Sequence, residues 1–433
     1  MADDVVRPAQ PTAASSKLEK HEIKTNTVLL EGQRTDLTLV VDLATSVRGI
    51  PCHLSRRPVF GDHDWIIFLG FKDGIEWVAR IPLRHHQDFP QLQFETPEFR
   101  DKYECMISTM EYVGAHTTLP VARIHRYDLT CDNVLMRPYV LMDCLPGRPL
   151  ATMMNELSKE QLEGVVRQWA EYTMEMCKLR FPAIGTLRKG EGEEWMVKPL
   201  LSTTVKSDGT VEGKGNRGPF RSVADYILAM SNLKKSTMAT TTTSDPHAYG
   251  NFLRSSLLES LIPFFVLPEY LNSPFVLSHR TFDIHSILVD SSGRLTGILS
   301  WHNAAVLPLQ SHIRIPDSLN FEFMPPVERA QNPRLCSFSR RNRPHFEKAM
   351  VEMGTSMEWN IEELIDRSLM FGLFEKAVLN ASDERFLPAL WEHVFGNALG
   401  AEEFRGAMKK GDWGIAMADR WGIEVENAPN VSK

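Results

Sequence analysis

Two apolar runs separated by three polar residues give the first strong signal along the chain. Residues 65–71 (WIIFLGF) and 75–81 (IEWVARI) flank Lys72-Asp73-Gly74, which predicts a β-hairpin closed by a tight turn. Over 99–113 the apolar positions recur at helical spacing. Residues 158–179 predict an amphipathic helix with Ser158 as its N-cap and Leu162, Val165, Val166, Trp169 and Met176 along one face, a stripe that reads as core. The stretch 276–301, VLSHRTFDIHSILVDSSGRLTGILSW, reads as an apolar run, a short polar loop, a strand at 286–290, a Ser-Ser-Gly turn and a second strand at 295–299 that ends in a polar residue. Residues 344–424 predict several helices with aromatic anchors at Phe346, Trp359, Phe371, Phe374, Trp391, Phe395, Trp413 and Trp421. The segment 181–218 is rich in Gly, Lys, Ser and Thr, and 238–244 (MATTTTS) predicts a loop within the helical part.

Composition sets outer limits on this picture. A chain of 433 residues with 43% hydrophobic content buries a large core, best divided between two lobes. The net charge of −7, with no basic block, argues against nucleic acid as a partner. The six cysteines show no C-x-x-C spacing and read as reduced thiols of a cytoplasmic protein. Residues 1–33 are polar and lack an apolar signal core, so a flexible tail is expected there, with a short helix or strand beginning near 27–30. No run of about 18 apolar residues occurs, so no membrane partner is expected.

The 276–301 stretch resembles the catalytic loop and metal-binding strand of the aminoglycoside phosphotransferase and choline kinase family, especially its fungal members. Their pattern, L-[ST]-H-x-D-[FL]-x-x-x-N-[IV]-L-V-D followed by T-G-[IV]-[IL]-D-W-[DE], is matched without a gap by Leu277, His279, Phe282, Ile287, Leu288, Val289, Asp290, Thr296, Gly297, Ile298 and Trp301. Further matches are TTLPVARI at 117–124 and YVLMDCLPGRPL at 139–150, with PAIGTL at 182–187 and GPF at 218–220 as fungal-type landmarks. The resemblance implies a bilobal, kinase-like α+β fold: an N-lobe over 34–142, a helical C-lobe over 143–425 with an insertion at 183–218, and tails at 1–33 and 426–433. It places Gly61 in the phosphate-side turn, Arg80 at the basic position on the hairpin, and Met142, Asp143 and Cys144 in the adenine-reading hinge.

At the chemical positions the resemblance breaks. The catalytic Asp is replaced by Thr281, the Asn by Ser286, the metal-binding Asp by Ser300, and the acid after Trp by His302. A positioned general base is worth roughly 10²–10⁴-fold, and a threonine hydroxyl cannot act as one at neutral pH. Mg²⁺ requires hard anionic oxygen, which Ser286 and Ser300 do not supply. Where the family has the helix Glu that pairs with the basic strand residue, this chain has Met106; Glu104, two residues away, falls on another face. The turn Gly61-Asp62-His63-Asp64 is a poor phosphate cradle and reads as an acidic hairpin turn. Asp283 is a candidate substitute carboxylate, Asp64 a second, and Asp283, His285 and His302 are a conceivable transition-metal set. The expectation is therefore an inactive or impaired phosphotransferase homologue that serves as a binding or regulatory module for a small molecule or protein, with ATP admissible in the cleft and Mg²⁺ not. An atypical ATP-dependent phosphotransferase and a purely structural interaction protein stay open as alternatives.

Overall fold

The computed structural model describes residues 36–61, 64–83, 94, 96–190, 192, 194–201, 215–241, 258–272, 274–321, 324 and 326–379, with backbone only at 234–241 and 326–327. The expected tails, the element near 27–30, and the anchors Trp391, Phe395, Trp413 and Trp421 lie outside these residues.

Helix α1 (Leu37–Arg48) precedes an antiparallel sheet of β1 (Cys52–Leu54), β2 (Val59–Phe60), β3 (Asp64–Phe71) and β4 (Glu76–Pro82). After helix α2 (Pro97–His116) come β5 (Ile124–Asp128) and β6 (Tyr139–Asp143), giving the strand order β1-β3-β4-β6-β5, with β2 beside β3. The β3–β4 turn needs a left-handed residue and has Gly74 there, at φ 84°. Strand alternation then sorts the side chains. Trp65, Ile67, Leu69 and Phe71 of β3, with Trp77, Ala79 and Ile81 of β4, pack with Val40 and Ala44 of α1. Val140 and Met142 of β6 instead join Phe99, Tyr103, Met106 and Met110 of α2 in the main core. By the same alternation Asp64 and Arg80 both face away from α1, and this puts them on the α2 side of the sheet.

The second, mostly helical lobe follows β7 (Arg148–Pro149). Helix α3 (Lys159–Met176) begins with a capping box between Ser158 and Gln161, and its Trp169 meets Phe346 edge-on at 5.8 Å. Strands β8 (Arg180–Phe181), β9 (Thr186–Lys189) and β10 (Trp195–Lys198) come next, β9 and β10 forming an antiparallel hairpin in the segment expected as an insertion. Helix α4 (Val223–Thr241) corrects the sequence reading, which placed a loop from 238: it runs through the first residues of MATTTTS. Threonine costs a few tenths of a kcal/mol relative to alanine in a helix, and extending an existing helix adds one hydrogen bond per residue fixed.

Strands β11 (Phe275–Ser278), β12 (Ile287–Val289), β13 (Leu295–Ile298) and β14 (Ala305–Pro308) then frame two loops, with β11 between β14 and β8, and β12 between β13 and β7. Helices α5 (Pro333–Gly354) and α6 (Ile361–Leu379) complete the lobe, burying Phe346, Phe371 and Phe374, while Trp359 packs at the core margin. All six cysteines are free, and among the described residues no helix is long and apolar enough to cross a membrane.

Candidate nucleotide and substrate cleft

The loops 279–286 and 299–304 are hydrogen-bonded to each other, which brings Thr281, Ser286 and Ser300 together, while His302 lies against Arg80. His279 is buried, and its Nε2–H donates to the Leu299 carbonyl at 2.6 Å. Burial pushes this imidazole down to about 4, which keeps it neutral. It thus ties the first loop to the second without taking part in proton transfer.

Thr281 is solvent-exposed, with its hydroxyl 3.3 Å from both the Ser300 carbonyl and His279 Nδ1. The Ser286 hydroxyl is buried and fully engaged: it donates toward the Thr281 and Asp283 carbonyls at 2.7 and 2.9 Å and accepts from the Asp283 amide at 3.0 Å. Ser300 sits exposed in the left-handed region at φ 67°. These residues do not fit Mg²⁺, because one hydroxyl is consumed in stapling its own loop and the other is neutral.

The candidate substitute Asp283 is also engaged. Its Oδ1 accepts from the Ile284 amide at 2.6 Å and its Oδ2 from the Ser318 amide at 3.2 Å. Desolvation raises its carboxyl above the ordinary value against these bonds. It fastens the loop to the segment after β14. The Asp283, His285 and His302 set does not converge: His285 is exposed, His302 is buried against Arg80, and no group of three or more His, Cys, Asp or Glu among the described residues is placed to hold a metal.

Asp64, read as part of an acidic surface turn, is instead 1% exposed and ion-paired to the Arg80 guanidinium. Its other oxygen accepts from the Tyr103 hydroxyl of α2 at 2.5 Å. Arg80 Nη2 donates to His302 Nε2 at 3.0 Å, closer than the 3.4 Å between His302 Nε2 and Asp64. Burial alone would raise the Asp64 carboxyl, but the Arg80 charge, with the Tyr103 hydroxyl, holds it well below the usual carboxylate range. Burial, aided by the Arg80 charge, pushes His302 down to about 4, so a neutral imidazole accepts from the guanidinium.

Sequence reasoning missed this network. The signal available was strand alternation, which sets Asp64 and Arg80 on one face, and the three-residue step from Met106 back to Tyr103 on one helix face. Glu104 points elsewhere, pairing with Arg188 of β9 at 2.9 Å, while Asp101 pairs with the same guanidinium at 2.7 Å.

The remaining nucleotide-side positions are partly committed. The Gly61 amide donates to the Asp64 carbonyl at 2.8 Å. Of the residues expected to form a hinge, Met142 lies in β6 between β4 and β5, the Asp143 amide donates to the Arg123 carbonyl at 3.0 Å, and the Cys144 amide donates to the Glu76 carbonyl at 3.1 Å. The Asp143 carboxylate accepts from His125 at 2.6 Å, and Arg56 lies 3.1 Å from the Cys144 sulfur. Residues of both loops line a cleft of about 1360 Å³, together with α2, the β9–β10 hairpin and α6.

A subtelomeric hrmA-associated cluster protein of Aspergillus fumigatus is 25% identical over 140 residues, 31% of this chain and 25% of that protein. Altered inheritance of mitochondria protein 9 of Eremothecium gossypii is 24% identical over 187 residues, 41% of this chain and 29% of that protein. The matches thus span only about a quarter of these relatives. Among solved structures, aminoglycoside phosphotransferase APH(4)-Ia aligns at 14% identity with a TM-score of 0.45, covering 82% of this chain and 96% of that one. The streptomycin–ATP–APH(2″)-IIa ternary complex aligns at 9% identity with a TM-score of 0.44, covering 82% of this chain and 94% of that one. The profile of the phosphotransferase enzyme family matches residues 67–309, more than half of the chain, and the protein belongs to that family.

Proposed function

We propose that this family member has lost phosphoryl transfer and works as a binding or regulatory module, a pseudokinase, through the cleft between its lobes. The observation that carries the reading is the replacement at the catalytic loop and metal strand, and beside it Arg80, the cation expected to meet nucleotide phosphates, is held by Asp64 from within the sheet and by His302 rather than by a helix carboxylate. The hydroxyls at Thr281, Ser286 and Ser300 support it, since neither a base nor a metal ligand remains at those places. Asp64 and Asp283 do not favour an atypical enzyme, because one is sealed from solvent and the other is bound by two amides. Its ligand is a small molecule or a protein segment rather than nucleic acid or membrane, and its compartment is the cytoplasm.

The test is thermal unfolding of the purified chain with ATP, with and without Mg²⁺, alongside phosphate release. A ligand at about 100 times its Kd stabilises a fold by roughly 2.7 kcal/mol, a visible shift. The expected result is no turnover, and a shift with MgATP no larger than with ATP alone. A Mg²⁺-dependent shift accompanied by turnover that Asp283→Asn abolishes would overturn the reading in favour of a rebuilt phosphotransferase.

A further inference from the structure

The charges lining the cleft are not balanced in the same way on its two sides. On the α2 side three of the four carboxylates are matched, Asp101 and Glu104 by Arg188 and Glu111 by Lys189 at 3.8 Å, while Glu98 makes no ion pair among the described residues. Over the rest of the lining, cations predominate. Arg280, Arg217 and Lys198 line the cleft, and none of them makes an ion pair or side-chain hydrogen bond among the described residues. Arg314 adds a second guanidinium beside Arg280, donating to its carbonyl at 3.3 Å, and lies 3.8 Å from a Glu375 carboxylate that also accepts from Ser311.

Two further features mark the same spot. Arg280 is only partly exposed and is held at φ 65°, a backbone region that costs a non-glycine residue of order 1–3 kcal/mol, yet among the described residues its side chain makes no hydrogen bond or ion pair. Two residues earlier, Ser278 is 6% exposed, lines the cleft, and has no hydrogen-bond partner for its hydroxyl among the described residues. Partly desolvated cations are costly unless a ligand completes them, and the Ser278 hydroxyl at the cleft wall is available to donate to one.

Building on the binding-module reading, we propose that this face of the cleft binds a small-molecule oxyanion, a phosphate or carboxylate group, with Arg280 as the central fork, Ser278 as a hydrogen-bond donor and Arg217 and Lys198 closing over it. Guanidinium groups meet such anions through paired N–H donors, which a lysine at the position of Arg280 could not reproduce. The ligand is bound without metal, since the cations themselves supply the countercharge.

The test titrates inorganic pyrophosphate and citrate into the full chain at constant ionic strength, read by calorimetry and thermal shift, with phosphate release from ATP measured on the same samples. The expected result is saturable binding of at least one probe, weakened tenfold or more by Arg280→Gln and by Arg280→Lys, and less by Arg217→Gln, with each variant's far-ultraviolet spectrum unchanged. A linear, unsaturable stabilisation shared by wild type and Arg280→Gln is general salt exclusion and overturns the site. So does the absence of both heat and thermal shift with the two probes alike. ATP turnover would sink the binding-module reading while leaving saturable, Arg280-dependent anion binding intact, so the two failures are distinguishable.

Discussion

The guanidinium of Arg80 is held by groups from three parts of the chain: Asp64 from β3, Tyr103 of α2 acting through that carboxylate, and His302 from the loop after β13. Because Asp64 is 1% exposed, removing its partner leaves a buried charge uncompensated. Arg80→Met is expected to cost about 3–5 kcal/mol, whereas the double change Asp64→Leu with Arg80→Met should recover most of that loss. Urea unfolding of the three proteins decides it; equal losses in the single and double variants would mean that the pair is not the source. Ser286 offers a second test of the same kind. Its hydroxyl joins three backbone groups inside one loop, so Ser286→Ala should destabilise by about 1–3 kcal/mol through the groups it orphans. A neutral outcome would show that the loop holds without its staple. The residue identities that break the family chemistry were legible in the sequence, since a threonine or serine replaces a charged ligand wherever it sits. The partner that Arg80 took instead was not, because only the fold brings positions 64, 80, 103 and 302 together.

Elements were more legible than contacts. The hairpin expected at 65–71 and 75–81 is β3 and β4, and the strands expected at 286–290 and 295–299 are β12 and β13, because period-two alternation and turn residues act locally. The end of α4 was misread because threonine content speaks against a helix only weakly once the helix has started. At this scale Gly147 is a sharp test of how β7 docks on β12 and β13. It holds φ 101°, and a Cβ there would press on the Thr296 hydroxyl and lie 2.8 Å from the Val289 carbonyl oxygen. Gly147→Ala should therefore destabilise by more than the ~1–3 kcal/mol of backbone strain alone. Gly114, inside α2 with nothing near its missing Cβ, should respond in the opposite sense, with Gly114→Ala stabilising by about 0.5–1 kcal/mol. Unfolding midpoints that move the same way in both variants would refute the assignment.

At the scale of the whole molecule, three buried imidazoles among the described residues join elements that are distant in sequence. His279 ties the two loops through Leu299, His302 joins the second loop to Arg80 of the sheet, and His312 lies 2.9 Å from the Thr173 carbonyl of α3. Burial pushes each of them down to about 4 from an ordinary 6.5. With the folded value below the unfolded one, the unfolded chain binds more protons between these limits, so stability is fully present above about pH 6.5 and is lost as pH falls toward 4. Each such group is worth up to about 3 kcal/mol over that window, enough for three of them to exhaust the stability of a typical domain. The unfolding midpoint should thus fall steeply from pH 7 to pH 5. His279→Gln provides the control: the amide can still donate to the Leu299 carbonyl but cannot titrate, so the slope should decrease by close to one proton while stability at pH 7.5 changes little. A slope in His279→Gln equal to that of the parent would place the acid sensitivity elsewhere in the fold.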